Sequence, residues 1–319
     1  MKRLRVKAIE SARSGTGRRA RNLKKGSSVF RQGRPAKYAL IKEQSAFHRV
    51  QKLCQALGVS SSSCYAWLKG SESSRIQEDK RLAQTLRDEF LQSSQTYGVP
   101  RLQQALRKLG KYHGKARIKR LMQQEGLKPK AARRFKVTTD SRHSKPVAEN
   151  ILGRQFNPVA INTAWASDIT YIHTDEGWLY LATVIDLFNR KIVGWSMGTR
   201  LVTSLIEDAL IMTIHRNTPP NGVIHHSVRG SQYCSNAYQS LLKEHGFICS
   251  MSGSGNCYDN AVMESFYHTL KVEMIYGEQY KTRKDAQLAL FDYIEVFYNR
   301  QRIHSTLGFQ TPNDFRLVA

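Results

Sequence analysis

Between residues 165 and 197 the chain carries three consecutive runs rich in β-branched and aromatic residues, 165–173, 179–188 and 191–197. Only residues 174–178 and 189–190 separate them, with the turns at Thr174-Asp175-Glu176-Gly177 and Asn189-Arg190. Turns this short join antiparallel neighbours, so the pattern predicts a three-stranded meander. Beyond it the periodicity predicts a helix over 203–216, a strand over 222–226, a helix over 236–245, a short strand over 248–250 and helices from residue 260 onward. Strands first, then alternating helices and strands, describe an α/β layer fold.

The first half of the chain is built differently. The 319 residues carry a net charge of +25, and the sequence pI is near 10.1. Residues 155–319 hold 13 Lys+Arg against 15 Asp+Glu, which leaves 37 against 10 in residues 1–154. All the excess positive charge therefore lies upstream of the meander, which points to a DNA-gripping module joined to a near-neutral one. The five cysteines form no C-x-x-C pair and are odd in number, which reads as free thiols in a reducing compartment and not as a disulfide framework or zinc cage. No run of about 18 apolar residues is present, nor the apolar core of a secretory signal, so the expectation is a cytoplasmic, nucleoid-associated protein that does not span a membrane.

Residues 1–37 hold thirteen Lys/Arg against Glu10 alone and read as a basic, disordered arm able to contact phosphates. Residues 38–127 read as a helical DNA-binding region. Val50, Leu53 and Leu57 share a helical face before Gly58-Val59, and Ser60 to Ser63 offer N-caps to a second helix containing Tyr65, Ala66, Trp67 and Leu68, the outline of a helix-turn-helix. Further apolar stripes follow at Leu82, Leu86 and Phe90, at Leu102, Leu106 and Leu109, and at Ile118, Leu121 and Met122. Trp67, Arg101, Lys115, Arg117, Lys119 and Arg120 are the candidate DNA contacts. Residues 128–158, polar and basic, read as a linker lying on or near DNA, and 159–319 as the catalytic core.

Phosphodiester chemistry needs an activated oxygen nucleophile and stabilised charge on the phosphorus and the leaving oxygen, which a pair of divalent ions held by carboxylates supplies. Asp168 falls mid-strand in Ala166-Ser167-Asp168-Ile169-Thr170, where a charge is costly unless a cation balances it. Glu264 opens a helix whose expected apolar face is Val262, Phe266 and Leu270, and Lys271 follows two turns later on the face of Glu264. Between them runs His226-Ser227-Val228-Arg229-Gly230-Ser231, leaving an apolar strand at a position where this chemistry wants a carboxylate and finds valine.

These segments, with Gly177-Trp178-Leu179-Tyr180-Leu181, Val184-Ile185-Asp186-Leu187-Phe188, Gly255-Asn256-Cys257-Tyr258-Asp259-Asn260-Ala261 and Tyr298-Asn299-Arg300-Gln301-Arg302-Ile303-His304-Ser305-Thr306-Leu307-Gly308, resemble bacterial insertion-sequence transposases. More narrowly, the chain from about Tyr38 resembles the second-reading-frame (OrfB) product of the insertion-sequence-three family, whose core is similar to retroviral integrase. The resemblance implies a ribonuclease H-like integrase core preceded by an all-α helix-turn-helix region. It also implies DDE chemistry with Mg²⁺, or Mn²⁺ in its place, that cuts one strand at each element end and joins the freed 3′-hydroxyl to another phosphodiester. Asp168 then matches the first acid, Glu264 the third and Lys271 the DNA-contacting base, while Val228 stands at the second acid. The expected partners are terminal-repeat and target DNA, further copies of the chain in a homo-oligomer, and the first-frame (OrfA) protein. Two readings compete with an active transposase: a non-catalytic remnant that still occupies element ends, and a ribonuclease H-type repair nuclease, which the long basic helical region disfavours.

Overall fold

The computed structural model describes residues 33–70, 73–130, 146–254 and 256–315. Most of the expected arm, 1–32, lies outside the described residues, as does 131–145 of the expected linker. The chain divides into two compact units between Leu82 and Ala83.

In the first unit three short helices enclose a small core of Tyr38, Ile41, Cys54, Leu57 and Cys64. They are α1 (Arg34–Gln44), α2 (Val50–Leu57) and α3 (Ser61–Leu68). Arg34 and Lys37, counted with the basic arm from sequence, belong to α1, because Pro35 at the helix start pre-sets the helical φ and needs no amide donor there. Gly58 ends α2 in the left-handed region at φ 63, and the Ser60 hydroxyl caps α3 by accepting from the Ser63 amide. Helix α4 (Ser74–Gln92) runs across the boundary between the units.

The second unit begins with the helix pair α5 (Val99–Lys108) and α6 (Lys115–Gln124), buried along Leu102, Leu106, Ile118, Leu121 and Met122. Leu109, expected on that stripe, is 52% exposed. Helix α5 stops at Lys108, and Gly110 at φ 72 turns the chain away before the stripe reaches it.

The sheet order is β3-β2-β1-β4-β5, from β1 (Ala164–Thr174), β2 (Gly177–Asp186), β3 (Ile192–Gly198), β4 (Ile224–Ser227) and β5 (Ile248–Met251). The first three are the antiparallel meander; β4 and β5 add in parallel beside β1. Crossover helices α7 (Thr203–Asn217) and α8 (Asn236–Glu244) supply the long connections that parallel pairing requires. They cover one face, with Leu205, Ile206, Ala209, Leu210 and Tyr238 packed on Trp165, Ala182 and Val184. Helix α7 comes so close to β3 that a Cβ at Gly194 would lie 1.9 Å from Thr213 Oγ1 and 2.4 Å from the Ala209 carbonyl oxygen.

Helix α9 (Ala261–Leu270) runs into a π-helical turn, Lys271–Ile275, and α10 (Arg283–Phe291) runs into another, Asp292–Tyr298. Just beyond, the Asn299 side chain accepts from the Ile192 amide and donates to the Ile192 carbonyl, both at 3.0 Å, and so pins the edge strand β3. The described end of the expected linker is docked on the sheet: the Leu152 amide donates to Ser250 Oγ at 3.0 Å, and Arg154 pairs with Asp259 at 2.8 Å. No helix among the described residues is long and apolar enough to cross a membrane.

Candidate active site

The parallel pairing of β1 with β4 sets Ser167 opposite Ser227. Asp168 continues β1 past that rung, and Val228 is the first residue beyond the end of β4. On its other side Asp168 faces Thr183 of β2. The Tyr267 hydroxyl of α9 donates to the Asp168 carbonyl at 2.5 Å and accepts from Thr183 Oγ1 at 2.8 Å, which fastens α9 across β1 and β2. Tyr267 is one turn past Glu264 and one turn before Lys271, so this tie presents both to Asp168.

Electrostatics reports the same proximity. Asp168 is half-buried, and burial pushes its carboxyl up to about 7; the Ile169 amide, 2.8 Å from Oδ1, holds it back, the Glu264 charge raises it and the Lys271 charge lowers it. Glu264 is moved up by burial. Lys271 is moved down by burial, with Asp168 opposing that shift, and its Nζ lies 5.3 Å over the Tyr171 ring. Asp168 on β1 therefore senses the charges of Glu264, on the exposed side of α9, and of Lys271.

Val228 is half-buried and packs against the apolar core. The neighbouring acids are committed elsewhere. Asp186, three rungs from Asp168, accepts from the Asn162 and Phe188 amides, each at 2.8 Å. Asp259 holds Arg154 and accepts from the Gly253 amide at 2.8 Å. Among the described residues no three His, Cys, Asp or Glu side chains are placed to hold a metal ion. The donor set at this centre, two carboxylates and a valine, does not fit a pair of divalent cations. Upstream of Val228, His225 and His226 are buried, the first 3.2 Å from the Tyr238 hydroxyl, the second 2.9 and 3.2 Å from Ser250 and Ser252 Oγ. Burial depresses them to about 3 and about 4, so both are neutral.

The buried face of α9 is Met263, Phe266, Tyr267 and Leu270, whereas Val262, expected there, is half-buried. Tyr267 was not singled out from sequence; its place three residues after Glu264 on the buried side was the available signal. Among the candidate DNA contacts, Trp67 is 38% exposed and lies 5.9 Å from the Tyr38 ring. Lys115 and Lys119 are exposed on α6, Arg117 and Arg120 are half-buried there, and Arg120 donates to Gln124 at 3.1 Å. Arg101 is turned inward and pairs with Glu273 at 3.3 Å.

Two integrase core domain models match residues 158–257 and 264–318. An HTH-like domain model matches 77–135, which spans most of α4 with α5 and α6, downstream of the outline read at 50–68. The chain is 44% identical over 264 residues to an insertion element IS600 uncharacterized 31 kDa protein of Shigella sonnei, covering 83% of this chain and 97% of that one. It is 42% identical over 281 residues to transposase InsF for insertion sequence IS3A of Escherichia coli strain K12, covering 88% of this chain and 98% of that one. A more distant likeness is to the HTLV-2 integrase catalytic core domain solved in complex with magnesium, at 13% identity and a TM-score of 0.37, covering 48% of this chain and 95% of that one. With an integrase core, an HTH-like region and this identity along nearly its whole length, the chain belongs to the IS3-family transposases, integrase-core DDE enzymes whose chemistry is DNA strand cleavage and strand transfer.

Proposed function

We propose that this transposase binds the terminal repeats of its insertion sequence while its strand cleavage and transfer are severely impaired. The observation that carries this reading is valine at position 228, just past the rung that pairs Ser227 with Ser167, the residue before Asp168, with Asp186 and Asp259 both held in other contacts. Asp168 and Glu264 are the remaining acids of the centre, and Lys271 is the base that meets the DNA end. Mg²⁺, or Mn²⁺ in its place, would supply charge stabilisation at a complete three-acid centre; here its holders are reduced to Asp168 and Glu264. Trp67, Lys115, Arg117, Lys119 and Arg120, within a helical region spanning 38–127, grip the duplex, supported by the excess of basic residues upstream of the core. Binding two ends requires more than one copy of the chain, with the OrfA protein as a further partner, in the cytoplasm on nucleoid DNA.

The same valine supports a second reading, a non-catalytic remnant that occupies element ends and competes with active copies. A Mg²⁺-dependent cleavage and strand-transfer assay on an element-end duplex, run on this chain and on Val228→Asp, separates the outcomes. Products from Val228→Asp with little or none from this chain are expected of the impaired transposase, whereas the remnant gives none from either protein while still binding the duplex. Equal product from both proteins would refute the assignment of the defect to Val228.

A further inference from the structure

Glu273 lies two residues past Lys271 in the π-helical turn, and it is 7% exposed. Arg302, still more buried, grips it as a fork: Nε donates to Oε2 and Nη2 to Oε1, both at 2.8 Å. The Tyr293 hydroxyl donates to Oε2 at 2.9 Å. Arg101 of α5 completes the cluster with Nη1 at 3.3 Å from Oε1, and its guanidinium lies 5.7 Å over the Tyr97 ring. Burial works against the charge of Arg302, but the hydrogen bonds and charge of Glu273 outweigh it and raise its pKa. Burial and the like charge of Arg302 lower Arg101, with Glu273 opposing.

The backbone of the same turn is held as well. Lys130 Nζ donates to the Glu273 carbonyl at 2.8 Å, and the Tyr276 amide closes the turn on the Lys271 carbonyl at 2.7 Å. Tyr97 adds a second tie from the same segment, donating to the Gln301 carbonyl at 3.0 Å and accepting from the Ile303 amide at 2.9 Å. Tyr97, Arg101 and Lys130 all belong to the HTH-like match, whereas Lys271, Glu273 and Arg302 belong to the second integrase-core match. The turn that carries Lys271, whose Nζ lies over the Tyr171 ring of β1, is therefore clamped by the HTH-like segment.

We infer that Arg101 and Glu273 are positioning residues: they hold the turn bearing Lys271, so the seating of α5 decides where Lys271 meets DNA. This rests on the reading of Lys271 as a DNA contact, and it replaces direct DNA contact as the role of Arg101. Removing Glu273 would strand two buried cations, so the informative substitution is at Arg101, which leaves the Glu273–Arg302 fork intact.

The test is a double-mutant cycle read by fluorescence anisotropy on a labelled duplex ending in the terminal repeat of the encoding element. It uses Arg101→Gln, Lys271→Ala, the double variant and Arg101→Lys, with thermal melting to confirm folding. Lys271→Ala is expected to weaken binding about tenfold in the natural background and less than about threefold beside Arg101→Gln, with Arg101→Lys recovering most of the lost coupling. An equal Lys271→Ala factor in both backgrounds overturns the coupling and leaves the Lys271 contact standing. Arg101→Gln lowering the salt slope by about one, additively with Lys271→Ala, returns Arg101 to direct phosphate contact. Lys271→Ala without effect in the natural background removes the DNA contact and the coupling together.

Discussion

Val228→Asp is expected to turn a magnesium-indifferent protein into one that magnesium stabilises. Adjacent strands are about 4.8 Å apart, so the new carboxylate would stand about 5 Å from Asp168. Above pH 7, where Asp168 is ionised, that repulsion is about 3 kcal/mol at an effective dielectric of about 20 and below about 1 kcal/mol in bulk water. The half-buried valine contributes about 1 kcal/mol of apolar burial that aspartate forgoes. Together these effects put Val228→Asp about 2–4 kcal/mol below the natural protein in EDTA, equivalent to roughly 4–16 °C in Tm for a unit of this size. A divalent ion on the restored triad offsets part of that deficit, contributing about 1.4 kcal/mol at ten times its Kd. The assay is differential scanning fluorimetry of both proteins in EDTA and across a Mg²⁺ titration. The expected pattern is a rising Tm for Val228→Asp and a flat one for the natural chain. An equal Mg²⁺-dependent rise in the natural chain would refute the reasoning, because it would mean that Asp168 and Glu264 suffice as a cation site.

Three further outcomes follow from other contacts. His225 and His226 have folded pKa values of about 3 and about 4, below the ordinary 6.5, so the stability they confer as neutral groups is present above about pH 6.5 and drains away as pH falls toward 4. Asp168, raised to about 7, works oppositely, gaining stability as pH falls from 7 toward 3.8. In an Asp168→Asn background Tm is therefore expected to fall more steeply between pH 7 and 5 than in the natural chain; parallel pH profiles would count against the assignments. Gly194→Ala forces a methyl against Thr213 and the Ala209 carbonyl and is expected to cost about 1–3 kcal/mol, read by urea denaturation; unchanged stability would mean that α7 stands off β3. Asn299→Ala removes both bonds to Ile192 and is expected to cost about 1–3 kcal/mol and speed hydrogen exchange of the Ile192 amide, whereas unaltered exchange would show that β3 does not need this pin.

The meander was legible because turns of two to four residues leave antiparallel pairing as the only option, and the observed strands match the expected runs to within two residues at each end. The α9 stripe was misread for a reason internal to helices. Val262, Phe266 and Leu270 step by four residues, and each step drifts about 40° around the helix, whereas Met263, Phe266, Tyr267 and Leu270 stay on one side. Leu109 failed because apolar periodicity does not mark where a helix ends. Arg101 read as a candidate DNA contact because its partner Glu273 lies 172 residues away, and local sequence holds no trace of that pairing.

Local chemistry therefore determined a good deal by itself: the order of strands and helices, the basic and near-neutral halves, and the mid-strand carboxylate Asp168, whereas the roles of Glu264, Lys271 and Val228 came from the family resemblance. The former depend on periodicity, turn length and residue type, which act over a few positions. Only the tertiary structure decided that Ser227, just before Val228, pairs with Ser167, just before Asp168, that Tyr267 fastens α9 to β1 and β2, and that Glu273 binds Arg101 of α5. Each of those is a pairing between residues tens to hundreds of positions apart, set by strand register and by which buried charge finds which partner.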